Sequence, residues 1–199
     1  NRVAITPQAT GLLVNNGHSV TIETGAGQNA NFIDNDYSEK GAQIAYTTEE
    51  VYMSDIVMKV EPPSLQEISL MQNDKTLISA IQLSILKKEY IDALLKKKIT
   101  AIAYEYIKDD AGTFAVIRSM GEIAGGTAIL IAAEYLSNVS HGKGQLLGGV
   151  SGIPPTDVVI LGAGTVGEYA ARTALGLGAN VKVFDNNIYK LRRLQNNIG

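Results

Sequence analysis

Residues Val158 to Arg172 leave this chain little freedom in what it can fold into. Val158 to Leu161 is a β-branched, apolar run suited to a buried strand. A tight glycine turn follows, and a helix is expected from about Thr165. Gly162, Gly164 and Gly167 form the pattern G-x-G-x-x-G. In that pattern the first glycine permits the sharp turn out of the strand. The second lets a pyrophosphate approach the backbone, and the third lets the helix pack close to the sheet. The helix N-terminus then offers free N–H groups and a positive dipole end to the anion.

Three glycines alone say little in a chain that holds 20 of them, so the context decides. Gly176 to Asn180 reads as a helix stop, and Val181 to Asp185 as a second strand ending in a carboxylate. Asp185 lies 18 residues beyond Gly167, close to the spacing of an acid that hydrogen-bonds an adenosine ribose. Dinucleotide binding is therefore expected. A 2′-phosphate would meet a like charge at Asp185, which favours NAD over NADP. The plain alternative is a βαβ unit with a structural glycine turn and an Asp capping the next loop.

Composition narrows the function classes. The chain has 199 residues, 45% hydrophobic and 19% charged, with a net charge of −3. That balance excludes a broad nucleic-acid surface. Lys96 to Lys98 sits where a helix ends, and cations suit that dipole. Absence of cysteine excludes a disulfide framework, a thiolate metal site and a cysteine nucleophile; no metal site is expected. No apolar run is expected to reach membrane-spanning length, and no signal-peptide pattern opens the chain. A cytoplasmic protein without direct membrane insertion is the default expectation. The chain also looks incomplete. It starts at Asn1 without Met and ends after the second strand of the nucleotide fold and a helical segment; a six-stranded fold needs about four more strands.

Upstream, strands and helices alternate. Residues 1–5 are β-rich. Thr6 and Pro7 start a helix as cap and first-turn proline, and Asn16-Gly17 stops it. Strands are expected over 18–23, 43–46, 55–60, 76–81 and 99–104, with 55–60 buried. Helices are expected over 34–41, 48–53, 65–71 and 87–97, and a long small-residue helix over Ile123 to Leu136. Residues 140–156, rich in glycine and carrying Pro154 and Pro155, read as a loop entering the nucleotide domain. This order predicts an α/β protein of two Rossmann-like domains with mostly parallel sheets, the nucleotide domain being incomplete. Residues 1–125 are expected to form a substrate domain, 126–142 a linking helix, and 143–199 the first part of an NAD-binding domain.

The stretches 1–7 (Asn-Arg-Val-Ala-Ile-Thr-Pro), 23–27 (Glu-Thr-Gly-Ala-Gly), 58–62 (Met-Lys-Val-Glu-Pro) and 101–105 (Ala-Ile-Ala-Tyr-Glu) keep a recognisable order with 120–125, 147–150 and 162–167. Together they resemble the alanine dehydrogenase and pyridine nucleotide transhydrogenase family over essentially the whole chain, with the nearer likeness to alanine dehydrogenases. The resemblance implies hydride transfer from L-alanine, or a similar small amino acid, to NAD, giving pyruvate and ammonia, and a homo-oligomeric assembly. By resemblance, Arg2 matches the arginine that holds the substrate carboxylate, a task suited to its two-pronged guanidinium. Thr165 and Val166 would give backbone contacts to the pyrophosphate, Asp185 would take the ribose, and Lys190 matches a basic residue near it. Gly121 stands where alanine dehydrogenases usually have a nucleotide-contacting serine.

Two positions in the substrate half also depart from the family pattern. Glu61 stands where a lysine normally binds the keto acid, and Gln82 where a catalytic histidine normally stands. Gln82 can donate and accept hydrogen bonds but cannot exchange protons near neutral pH. Neither His18 nor His141 aligns with the missing histidine. Lys59, on the same strand face as Glu61 by two-residue periodicity, is a candidate to pair with Glu61 or to reach substrate; the plain alternative is a lysine closing a strand with its head in solvent. Proton transfer would fall to Lys59, Glu61 or an acid beyond residue 199. The same departures leave two other functions open: the NAD-binding part of a proton-translocating transhydrogenase, and a catalytically altered NAD-binding relative.

Overall fold

Helix α1, Pro7–Asn15, begins as its sequence predicts: the Thr6 hydroxyl accepts a hydrogen bond from the Ala9 N–H at 3.3 Å, and Pro7 occupies the first turn. The computed structural model describes residues 2–198, so Asn1 lies outside the described residues; residues 2–5 form no strand. The elements that follow are β1 (Thr21–Glu23), α2 (Asp34–Ser38), β2 (Gln43–Ala45), α3 (Thr48–Tyr52), β3 (Ile56–Met58), α4 (Leu65–Leu70), β4 (Thr76–Ser79), α5 (Lys88–Lys96) and β5 (Thr100–Ala103). The second half carries α6 (Ala115–Leu136), β6 (Asp157–Leu161), α7 (Thr165–Gly176), β7 (Asn180–Phe184) and α8 (Ile188–Ile198). Every pairing between these strands is parallel: β1 with β2, β3-β4-β5 in that order, and β6 with β7.

Contacts divide the chain into two compact units, residues 1–107 and 108–199. In the first unit, β4 is the central strand of three and Leu77 on it is fully buried. Leu77 packs with Val57, Ile68, Met71, Ile81, Tyr90 and Leu94, so α4 and α5 bury their apolar stripes on the sheet. β3 is an edge strand. Its Val57 is buried while Ile56 and Met58 are exposed, so the expectation of a strand buried on both faces is corrected. A separate cluster of Ile22, Tyr37 and Ala42 serves the β1–β2 pair.

In the second unit, α6 begins at Ala115, eight residues ahead of the expected start at Ile123. At 22 residues and a mean hydropathy of 1.4 in its most apolar window, it is long and apolar enough to cross a membrane by length and composition alone, which corrects the expectation that no run reaches that length. Its small residues serve a local purpose. A Cβ on Gly125 would lie 2.3 Å from the Val166 carbonyl oxygen on α7, so glycine allows the two helices to touch along their backbones. Ile129 then joins Ala170 and Ala174 in the core between them. β6 and β7 turn alternate residues inward, Val158, Ile160 and Val181 packing on that core.

Candidate functional site

The turn after β6 is built as the glycine spacing demands. Gly162 has φ +108°, a conformation that L side chains rarely adopt. A Cβ on Gly167 would sit 1.9 Å from the Gly162 carbonyl oxygen, so the first turn of α7 closes against the loop only because residue 167 has none. Gly164 is different. A Cβ there would meet nothing within 4 Å, so no packing within the protein requires glycine, whereas a ligand pressed on the backbone would. Gly164 is also the N-cap of α7 and provides no side-chain cap, which leaves the first N–H groups of a 12-residue helix aimed where an anion would bind. Thr165 is the first residue of that helix, and Val166 is half-exposed beside it. Gly121 on α6 lies against both, its Cβ position 3.4 Å from Thr165 Cγ2 and 3.5 Å from Val166 Cγ2.

Asp185 follows β7 and turns its carboxylate back toward the loop. Oδ2 accepts from the Ala163 N–H at 2.7 Å and Oδ1 from the Asn187 N–H at 2.7 Å. These two backbone bonds, with the nearby Lys190 ammonium, hold its carboxyl below the usual range. An ionised carboxylate has about four acceptor positions, so two filled by the backbone leave room for ribose hydroxyls. Gly162, Phe184, Asp185 and Asn186 line a hollow of about 400 Å³. Lys190 lies in the first turn of α8, exposed, where the Asn187 side chain caps the helix. The residues present therefore fit a dinucleotide: a backbone cradle that a Cβ would fill, an uncapped helix N-terminus and a carboxylate at the second strand end.

Behind this cradle lies a polar brace absent from the sequence reading. Glu168 on α7 accepts from Arg172 at 2.9 Å and from Asn197 on α8 at 3.1 Å, with Arg193 at 3.9 Å. Arg193 also donates to the Ala163 carbonyl at 3.3 Å. Nothing in local spacing signals a contact across 25 to 29 residues.

The candidate substrate residues lie in the first unit. Arg2 is exposed in irregular chain before α1. Lys59 and Glu61 fall beyond the end of β3, so the strand-face argument for their pairing does not hold. Instead the Lys59 ammonium binds Glu67 Oε1 on α4 at 2.5 Å. Glu67 is the reciprocal cap of that helix, accepting from the Ser64 N–H at 2.7 Å while Ser64 Oγ accepts from the Glu67 N–H at 3.2 Å. Burial pushes the Glu67 carboxyl up, but the hydrogen bonds from Lys59 and Ser64 and the lysine charge outweigh it and hold it at about 2. The Ser-x-x-Glu spacing made this cap readable in advance; the lysine partner was not. Glu61 is exposed.

Gln82 was expected on a strand running to residue 81 or beyond. β4 ends at Ser79, and Gln82 stands in a turn with φ +50°. Its N–H donates to Glu105 Oε1 at 2.6 Å. Gln82, Pro62, Leu65, Ile81, Ile85 and Tyr90 are among the residues that line a cavity of about 240 Å³. The Tyr90 hydroxyl is buried with no hydrogen-bond partner among the described residues; burial and the Glu67 charge push it up to about 12.

The alanine dehydrogenase/PNT N-terminal domain model matches residues 1–124, and the C-terminal domain model residues 128–199. The chain belongs to the alanine dehydrogenase/PNT family. Within that family, an alanine dehydrogenase of Mycolicibacterium smegmatis is 40% identical over 199 residues, which cover 100% of this chain and 53% of the relative. One of Bacillus subtilis (strain 168) is 39% identical, with 100% and 52% covered. Among solved structures, an L-alanine dehydrogenase superposes with a TM-score of 0.92 at 39% identity, over 100% of this chain and 55% of the other. A transhydrogenase from Sinorhizobium meliloti gives 0.87 at 26% identity, over 98% and 58%. The chain thus spans about half the length of the curated alanine dehydrogenases it matches.

Proposed function

We propose that the protein to which this chain belongs oxidises L-alanine, or a similar small amino acid, to pyruvate and ammonia with NAD. The observation that carries this is the cradle at Gly162 to Gly167, open at Gly164, facing an ionised Asp185. The likeness to alanine dehydrogenases along the entire chain supports the choice of substrate. When bound, NAD would supply the acceptor for the hydride that leaves the substrate Cα.

The chain's own residues would divide the remaining work. Thr165 and Val166 would give backbone N–H bonds to the pyrophosphate, with the α7 dipole behind them. Gly162, Gly164 and Gly167 shape that contact, and Gly121 keeps the neighbouring wall low. Asp185 would accept from the ribose hydroxyls, and Lys190 would offset its charge. Arg2 would grip the substrate carboxylate through paired hydrogen bonds. Gln82 would orient the substrate without exchanging protons. The proton released as the amine becomes an imine, and those moved as water adds, would be carried by Glu61, by Lys59 on release from Glu67, or by an acid beyond Gly199. The roles of residues 1–125 as substrate domain, 126–142 as link and 143–199 as nucleotide domain belong to the same proposal, as does a cytoplasmic homo-oligomer.

A second function is favoured by Glu61 and Gln82 themselves. The NAD-binding part of a proton-translocating transhydrogenase, or an NAD-binding relative with altered catalysis, needs neither the lysine nor the histidine that they replace. The test is NADH formation by the full-length protein with a panel of small L-amino acids. Turnover with L-alanine is the expected result. No turnover with any of them, together with NAD binding that Asp185→Ala abolishes, overturns the dehydrogenase and leaves a nucleotide-binding protein.

A further inference from the structure

Residues 101–105, Ala-Ile-Ala-Tyr-Glu, are one of the stretches that carry the family likeness, yet they have no role in the chemistry above. β5 ends at Ala103, and Tyr104 to Tyr106 form a single 3-10 turn. Two side chains of that turn reach back across the sheet. The Tyr104 hydroxyl donates to the Val60 carbonyl at 2.7 Å, on the residue before Glu61. Glu105 accepts from two consecutive N–H groups, Ile81 to Oε2 at 3.2 Å and Gln82 to Oε1 at 2.6 Å. These are the loops that leave β3 and β4, and they carry Glu61 and Gln82.

The backbone at Gln82 needs such a restraint. Its φ of +50° is a conformation that non-glycine residues seldom hold unless their surroundings impose it. The turn it opens closes through an Ile85 N–H bond to the Gln82 carbonyl at 3.0 Å. Consecutive N–H groups leaving a strand have no ladder partner, and a charged acceptor satisfies two of them at once. Ile81, immediately before, is buried in the core, so the turn is fixed on one side by packing and on the other by the carboxylate. Pro62, Ile81 and Gln82 then form adjacent parts of one cavity wall.

We infer that Tyr104 and Glu105 are positioning residues: they clip the β3 and β4 exit loops so that Glu61 and Gln82 are held in fixed geometry. The consequence for turnover rests on the dehydrogenase function proposed above; the clip itself does not. Glu105 acts through the backbone of residue 82 and need not touch substrate.

The test uses the full-length protein with Glu105→Ala, Glu105→Gln and Tyr104→Phe, read by amide hydrogen exchange and by kinetics in parallel. Glu105→Ala is expected to speed exchange at Ile81 and Gln82 by about tenfold or more, with Leu77 and Ile78 on β4 unchanged. Glu105→Gln keeps one acceptor oxygen and the packing, so it should fold even where alanine does not, and show a smaller rise at the same two amides. In an active enzyme, Glu105→Ala should lower kcat with little change in the KM for NAD, and glutamine should restore part of it. Tyr104→Phe should speed exchange at residues 59–61 and leave 81 and 82 protected. Unchanged exchange at 81 and 82 in both Glu105 variants, or a uniform rise across residues 2–107, overturns the inference. A wild-type protein without amino-acid turnover fails the proposed function alone, because the exchange result stands independently of it.

Discussion

The two candidate sites are made of different material. The nucleotide cradle in the second unit is mostly backbone: a positive-φ glycine, a glycine under a carbonyl, an uncapped helix end and a carboxylate held by two N–H groups. The candidate substrate site in the first unit depends on carboxylate side chains that reach across the fold, Glu67 to the Lys59 ammonium and Glu105 to the Gln82 backbone N–H. A backbone site demands glycine wherever a side chain would block the chain's path or the ligand, and is otherwise indifferent to residue type. A side-chain site changes chemistry with each substitution, so the identities of Glu61 and Gln82 bear directly on what the first unit can do.

The strongest way to break this contrast is Gly167→Ala. Its Cβ would enter the space of the Gly162 carbonyl, so a loss of about 3 kcal/mol or more in stability is expected, together with loss of NAD binding. Denaturant unfolding and a binding titration check both; retention of either means that the helix start is not the rigid part assumed here. On the other side, the Glu67 carboxyl titrates at about 2 in the folded chain against an ordinary 4.5. Its stabilisation is full above pH 4.5 and is lost as pH falls from there toward about 2. Partial exposure of the Lys59 partner reduces the magnitude, so about 1–3 kcal/mol is expected across that interval. Glu67→Gln should flatten this acid limb, and equal acid sensitivity in both proteins would remove the lysine pair from the account.

Gly164→Ala sharpens the contrast further. No atom of the protein opposes the added methyl, so stability should stay within about 0.5 kcal/mol. NAD affinity should fall about tenfold, or about 1.4 kcal/mol, because the methyl occupies the place of the pyrophosphate. An unchanged affinity would move the dinucleotide off the loop. The smallest effect is expected for Lys190→Ala. An exposed charge near Asp185 should be worth about twofold to threefold in NAD affinity, decreasing as salt rises; an effect insensitive to salt would indicate a direct, enclosed contact.

Legibility in the sequence followed the same division. β6, α7 and β7 lie within a residue of their expected positions, because strand, glycine turn and helix are each set by short-range sterics. Thr6 and Pro7 announced α1 for the same reason. The expectations that failed needed a neighbour to decide them. Residues 59–60 and 80–81 looked like strand by periodicity, but the three-strand pairing ends at Met58 and Ser79 and turns them into loops. The start of α6 at Ala115 was hidden because residues 115–122 mix apolar and charged side chains. Only α7, lying against Gly125 and Gly121, shows why that face carries glycines.

By itself, then, the sequence determined the α/β alternation, the parallel βαβ unit and the place of Asp185 at a strand end, since each depends on conformational preferences within a few residues. Tertiary structure decided which charges meet. Lys59 joined Glu67 rather than Glu61, Glu168 gathered Arg193 and Asn197, and Glu105 took the two amides before the cavity. A carboxylate selects its partners by distance in space. Separations of 8 to 29 residues along the chain carry no local signal of that distance until the sheet and its helices have packed.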